Sequence, residues 1–493
     1  MIRKSLRMRP ASLCAYVLMS AIAICASLCM QTQAQQTSSA GKIVKNVRDA
    51  GAKGDGYTDD SSAWQTAVND GDVFCPPGVY LVGTTIAVPS ERHIWGSRDC
   101  KLKTRDRTDI PVFTLTDVRD VFIEGISIDG NKAAQKDNGV GFGVFCEGCS
   151  TTKIIGLRIA NTPVESIIVS KNERSSAIPE DVVIVDNISV DSSRRGMFRQ
   201  HYAVTSGRRI LISGNSGSSA DGHAAYLVDI EPNNSGNPIE DVSVIGNHGT
   251  GVSGIAVANT ATNGRIVKRI NITGNNVRGP GAGAGNCFQV SYADYVSVGS
   301  NTVEGCGTNG VNVSGSNNVS VTGNHVTDFG KTGTVGETNG VKIEARSESV
   351  LVESNVFQAN GPSFGIRETD SSGITVGVND YIGAAMTPLA ITSFRSSSQT
   401  SLTGKHLSVT GTVDFPVLNG DVCEEKSIRA PAAPESSTVL LALPPTLASI
   451  PGLAFNAFVS TPGAVTVKAC KLTAGPTIDP PAAIVRVDVW INQ

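Results

Sequence analysis

A chain of 493 residues is long enough for a large core and more than one domain. Its formal net charge of −3 at pH 7 excludes the strongly basic surface that a nucleic-acid-binding protein needs. The 52 glycines and only 5% aromatic residues fit a turn-dense β structure.

Arg3, Lys4, Arg7 and Arg9 precede an apolar run from Ala11 to Cys29, and Thr32-Gln33-Ala34 offers a small-residue cleavage site. The pattern reads as a secretory signal peptide over residues 1–34. The alternative is an uncleaved anchor, because the apolar run is long enough to span a bilayer. Cleavage removes four basic residues and leaves a formal charge of −7. The expected location is secreted, periplasmic or cell-surface, with no stable membrane insertion after cleavage. Three cysteines (Cys14, Cys25 and Cys29) lie in the leader, and the remaining eight suit an oxidising compartment. Proximity suggests Cys75–Cys100, Cys146–Cys149, Cys287–Cys306 and Cys423–Cys470, since only neighbouring turns of a stacked structure touch. Cys146 and Cys149 lack a second pair at zinc-site spacing, and no metal site is expected.

Residues 47–60 contain Val47-Arg48-Asp49-Ala50-Gly51-Ala52-Lys53-Gly54-Asp55-Gly56 and Thr58-Asp59-Asp60. Ala63, Trp64, Ala67 and Val68 then form one apolar stripe of a short helix. Asp59, Asp60 or Ser61 is placed to cap it and Gly71 to end it. Pro76-Pro77-Gly78 turns into the strand Val79-Tyr80-Leu81-Val82. This opening resembles that of the pectate lyase-like superfamily, in its rhamnogalacturonase/epimerase-like branch, whose members begin with a "GAxGDGxxDD" phrase, a capping helix and a "PxGxY" strand. The resemblance implies a right-handed parallel β-helix sealed at its N-terminal end by the helix. It says little about reaction, because the fold carries lyases, hydrolases, epimerases, tailspikes and binding proteins.

From residue 118 to 382 an apolar-x-apolar-x-x-(Asn or apolar) phrase recurs ten times. One position is held by Ile126, Leu157 and Ile188, then by Asn215, Asn247, Asn275, Asn301, Asn324, Asn355 and Asn379, at a mean interval of about 28 residues. The period-two alternation marks strands, so the fold class is an all-β solenoid of ten or more turns. Asn tolerates left-handed backbone and can bond along a stack, so the column is expected to be apolar near the cap and polar beyond it. Asn187, Asn271, Asn312 and Asn318 match the glycosylation triplet, which the repeat grammar alone also produces.

Each turn carries a further strand. Its inward pairs are expected at Phe142/Val144, Ile167/Val169, Tyr202/Val204, Val228/Ile230, Ile255/Val257, Phe288/Val290, Val311/Val313, Val341/Ile343 and Phe364/Ile366. The residues between them then face solvent. One outward column contains Asp229 and Lys342, the next Glu231 and Glu344, and the preceding one His201 and Leu227. Strand positions i and i+2 lie roughly 7 Å apart, within the range of glycosidase carboxylate pairs. Asp229, Glu231 and His201 are therefore the candidate catalytic residues. Arg199 and Gln200 are candidate substrate contacts, with Lys342 and Glu344 a second, weaker cluster. A solvated, salt-bridged face is the competing reading of these charges. Arg194-Arg195 reads as a loop pair able to grip an acidic glycan, and Asp221-Gly222-His223 as a turn. Arg199-Gln200 with Asp229-Ile230-Glu231-Pro232 also resembles an "RQG…GIDIEP" phrase of uncharacterised β-helix proteins, except that His201 stands where the phrase has Gly. The polygalacturonase pattern of Asn-Thr-Asp, Asp-Asp and His-Gly is not found in order.

The β-helix is expected over residues 41–410, with 396–413 as its end. Residues 414–493 form a small β-sandwich-like domain with strands at 438–443, 453–460, 464–470 and 483–491. The resemblance and the charges together point to an exported lyase, glycoside hydrolase or epimerase acting on an acidic polysaccharide such as pectin or an exopolysaccharide. The alternative is a non-catalytic glycan-binding surface protein. No cofactor is certain; a Ca²⁺ requirement stays open, as does a homotrimer by analogy with tailspikes.

Overall fold

A computed structural model describes residues 43–490, apart from 137–139, 195–198, 281–284, 332–337, 360, 384–385, 392–400, 403–405, 420–421, 431–432, 434, 436 and 473–475. The leader at 1–34 and Arg195 lie outside the described residues.

The chain winds as a right-handed parallel β-solenoid of about eleven turns. Each full turn supplies one strand to each of three sheets. The first sheet includes Ser150–Ile155 and Glu180–Val185, the second Arg158–Ala160 and Ile188–Val190, and the third Ile167–Ser170 and Tyr202–Val204. Neighbouring strands of each sheet pair in parallel, as in Ile167↔Tyr202 and Tyr202↔Val228. Val, Ile and Leu from all three sheets fill one continuous core.

The asparagine column is buried and bonds as a ladder. Asn215 Nδ2 donates to Asn247 Oδ1 (3.0 Å), which also accepts the Asn215 backbone N–H (2.9 Å). The same contacts link Asn247 to Asn275, and the series runs on to Asn379. The ladder starts at Asn187, whose Oδ1 accepts the Leu157 N–H (2.9 Å). Ile188 belongs one residue further on, where the second sheet pairs Arg158↔Ile188↔Ser216. Asn187 is thus enclosed and cannot carry a glycan. The left-handed backbone falls not on the asparagines but on the residue before them, at Asp186, Gly214, Gly246, Gly274, Ser300, Gly323 and Ser354.

The inward pairs hold from Ile167/Val169 through Val341/Ile343. They slip by two residues at both ends. Val144 and Cys146 face inward rather than Phe142 and Val144, and Ile366 and Glu368 replace Phe364 and Ile366. At the first site both registers offer apolar residues. At the second, an inward glutamate, whose Oε1 takes the Ser371 N–H (2.7 Å), defeats an apolar criterion.

The helix Ser61–Asp70 buries Trp64, Ala67 and Val68. Trp64 meets Tyr80 and Phe113 edge-on at 5.9 and 6.0 Å, closing the apolar core. Asp59 accepts from the Ser61 N–H, while Asp60 accepts from Lys53 and Gly54 (2.7 and 3.1 Å) and so pins the preceding loop. All four proposed disulfides are present.

The C-terminal part has two three-stranded antiparallel sheets around a core of its own. Its strands include His406–Val413 and Cys423–Arg429 besides the four expected. His406–Val413 pairs along its length with Ala483–Trp490, so the strand drawn at the solenoid's end joins the antiparallel sheet.

The ladder makes a quantitative expectation. Asn247→Ala orphans the Asn215 N–H and its amide, and should cost about 2–4 kcal/mol in urea unfolding. Asn271→Ala, on the outer face of the first sheet, should shift the midpoint little.

Candidate functional site

The outward column of the third sheet reads Phe145, Ile168, Ala203, Asp229, Ala256, Gln289, Asn312, Lys342 and Arg367. Asp229 is only 5% exposed although it points away from the core, and its Oδ1 has no hydrogen-bond partner. Glu231, two residues on, is exposed, and its charge acts on Asp229.

His201 is not on this face. Its ring is fully buried, and so is Leu227 one turn above. Where the chain turns from the second sheet into the third, two consecutive residues face inward: His201 with Tyr202, and Leu227 with Val228. Strict period-two alternation fails at this corner. Gly143, Gly254, Gly310, Gly340 and Gly365 stand there in other turns; a Cβ on Gly310 or Gly340 would strike Val326 or Phe357 of the second sheet at 2.3–2.4 Å. His201 and Leu227 fit because the facing residue is Gly217, whose own Cβ would lie 2.5–2.6 Å from both side chains. The expectation of an outward-facing catalytic base at His201 is therefore corrected. Burial lowers its pKa to about 3, so the ring is neutral.

The position before the corner does face outward. It holds Glu165, Gln200 and Tyr226 on three successive turns. Glu165 is 3% exposed, with Arg199 Nη1 3.7 Å from its Oε1. Tyr226 is half-buried, and its hydroxyl reaches Gln289 Oε1 (3.4 Å). The structure thus brings Arg199, Gln200, Asp229 and Glu231 together with two residues the sequence did not single out, Glu165 and Tyr226. Their signal was available: each lies two residues before an inward pair. Lys342 and Glu344 occupy the same two columns as Asp229 and Glu231 but four turns away, roughly 19 Å. They pair with each other at 2.9 Å. Arg194 is committed to buried Asp109 (2.8 Å).

Loops that lead into the third sheet are tied near this cluster. Lys132 Nζ reaches the Ser193 carbonyl (2.9 Å) and Asp221 Oδ2 (2.5 Å), while Asp221 Oδ1 accepts the His223 N–H in the expected turn.

The electrostatics are unusual for a solvated face. Burial, then the neighbouring Glu231, push the Asp229 carboxyl well above the usual range. Burial also raises Glu165, against the pull of Arg199. The Tyr226 phenol rises to about 12 through burial, then through Asp229 and Glu231. Asp229 and Glu231 thus form a carboxyl dyad in which burial, and then the neighbouring charge, hold the proton on Asp229 more tightly. Among the described residues, no group of three His, Cys, Asp or Glu side chains is placed to hold a metal ion. No helix among them is long and apolar enough to cross a membrane.

No family model matches the chain, and no curated protein does. Solved structures do match. The A-module of mannuronan C-5 epimerase AlgE6 from Azotobacter vinelandii aligns with a TM-score of 0.57 at 18% identity, over 72% of this chain and 97% of that one. The surface adhesin PfbA of Streptococcus pneumoniae gives 0.58 at 15%, over 71% and 100%. A family 28 exopolygalacturonase of Yersinia enterocolitica gives 0.56 at 11%, over 72% and 79%. The shared property is the right-handed parallel β-helix, and a fold common to an epimerase, an adhesin and a hydrolase does not choose among them.

A carboxyl whose proton affinity is raised by folding binds more protons folded than unfolded, so stability falls as pH rises through its folded value. Asp229→Asn should therefore stabilise the protein by about 0.5–2 kcal/mol at pH 7. The gain should shrink at pH 3, below the ordinary carboxylate value, in urea unfolding of the two proteins side by side.

Proposed function

We propose that the protein is an exported polysaccharide-active enzyme that takes an acidic glycan along the outer face of the third sheet. The observation that carries this reading is the dyad itself: two outward carboxyl groups, one almost fully buried, beside a third buried carboxyl and an arginine. A surface with only a structural task gains nothing from burying acids away from water, whereas perturbed titration clusters at reactive sites. Four disulfides support an oxidising destination.

A buried acid beside an exposed carboxyl group suits proton transfer at carbon. In this reading Glu231 takes the proton alpha to a uronate carboxylate. Protonated Asp229 donates a hydrogen bond to the resulting dianion, and Arg199 neutralises it. Collapse with loss of the glycosidic oxygen at the beta carbon, which leaves as a hydroxyl carrying the proton that Glu231 took, gives an unsaturated uronate, a lyase product. Proton donation from water to the opposite face gives an epimer, and Glu231 then passes its proton to the resulting hydroxide.

Residues 35–493 should be incubated with acidic polysaccharides with and without Ca²⁺, following unsaturated-uronate absorbance, reducing ends and the sugar composition of the product. Absorbance rising with reducing ends identifies a lyase; altered composition alone identifies an epimerase. Asp229→Asn and Glu231→Gln should each lower turnover by about a hundredfold or more. Full turnover in both variants would remove the dyad from the mechanism. Binding without any product would favour a glycan-binding rod.

A further inference from the structure

The polar groups around His201 form a buried network. Its Nδ1 lies 2.6 Å from Ser189 Oγ and 2.9 Å from Ser192 Oγ. Ser189 Oγ continues to Ser166 Oγ (2.6 Å), which meets Thr162 Oγ1 (3.3 Å), and Thr162 donates to the Val164 carbonyl (3.0 Å). Ser192 donates to the Gln200 carbonyl (3.3 Å). All five side chains are buried.

Both branches end on carbonyls, which only accept. With the proton on Nδ1, each hydroxyl passes its own hydrogen outward along its branch, and the ring is the common donor. This tautomer is assigned from the network. It leaves only the Nε2 lone pair without a partner, a smaller cost than an orphaned N–H. The facing apolar column would accept a leucine at this corner, as Leu227 shows one turn above. A buried imidazole with one bare nitrogen is therefore not the choice that packing alone would make.

What the network holds is specific. One branch grips Thr162, Val164 and Ser166, the residues on either side of Glu165. The other grips the Gln200 carbonyl, next to Arg199. The His201 backbone adds to this, with its carbonyl accepting from Ser166 and Ile167 (3.0 and 3.2 Å) and its N–H donating to the Tyr226 carbonyl.

We propose that His201 is a positioning residue, an internal donor that fixes the Glu165 and Arg199 segments against each other so that their side chains meet on the outer face. The role in turnover rests on the function proposed above; the geometric claim does not.

The test compares His201→Leu with His201→Asn, whose amide nitrogen can stand where Nδ1 stands. Carboxyl-¹³C glutamate labelling follows the Glu165 titration, with the signal assigned by its loss in Glu165→Gln. In His201→Leu the titration should fall back toward the ordinary glutamate range as the segment loosens, while His201→Asn keeps the wild-type curve. A wild-type Glu165 titration in well-folded His201→Leu overturns the proposal, whatever the enzyme proves to do. If His201→Leu does not fold, the Ser189→Ala/Ser192→Ala double variant removes the acceptors with the ring in place, and the same two outcomes apply. On an accepted substrate, His201→Leu should lose about a hundredfold in kcat, with KM little changed and Asn restoring it. Unchanged kcat with a shifted titration would reject the catalytic consequence and keep the geometric one.

Discussion

Everything in this molecule is indexed to a buried stack of amides. From Asn215 to Asn355 each asparagine accepts two hydrogen bonds from the asparagine of the turn before it and donates to the amide of the turn after. A buried amide left partly bonded is expensive, so a turn cannot slide by one residue without orphaning donors above and below it. Such a slide would also send every side chain of a strand to the opposite face. The outer surface repeats the constraint in charge. Glu180, Arg208, Glu240 and Lys268 stack in one column, and Asp181, Arg209, Asp241 and Arg269 in the next. Each exposed pair is worth little alone, but alternation makes a misaligned turn place like charges together.

Fixed register lets the protein hold unfavourable groups where it wants them. Asp229 and Glu165 are acids with little water around them, and His201 has a nitrogen that bonds to nothing. All three lie on three consecutive turns. In a solenoid, stability is close to a sum over turns and their interfaces, so the remaining turns can offset a local cost. This concentration of cost is the observation that supports the proposed reactive site.

The two ends of the chain solve different problems. An open solenoid end exposes apolar core and unpaired strand edges. At the N-terminal end, Trp64 on the short helix packs over Tyr80 and Phe113, so an amphipathic helix replaces the missing turn. At the other end the pattern changes from parallel stacking to antiparallel sheets with a separate core, and Cys423–Cys470 links two directly paired strands there.

Much of this was legible in the chain because a solenoid is nearly one-dimensional. Spacing reports turn length, alternation reports facing, and nearby cysteines are nearby in space. The parallel β-helix, the helix cap and the four disulfides followed from those local rules, and so did the placement of Asp229 and Glu231 on one face. The rules failed where the chain bends. At the corner into the third sheet two successive residues face inward, which put His201 in the core and moved Gln200, Glu165 and Tyr226 to the outside. At Val144 and Glu368 the apolar pattern was ambiguous or broken, and only strand pairing could set the register. His406–Val413 joined the antiparallel sheet because its partner, Ala483–Trp490, lies about seventy residues further on, beyond any local period. Sequence periodicity determined which residues stack. The tertiary structure decided which way they face at the bends and which acids lose their water, because both depend on neighbours from other turns.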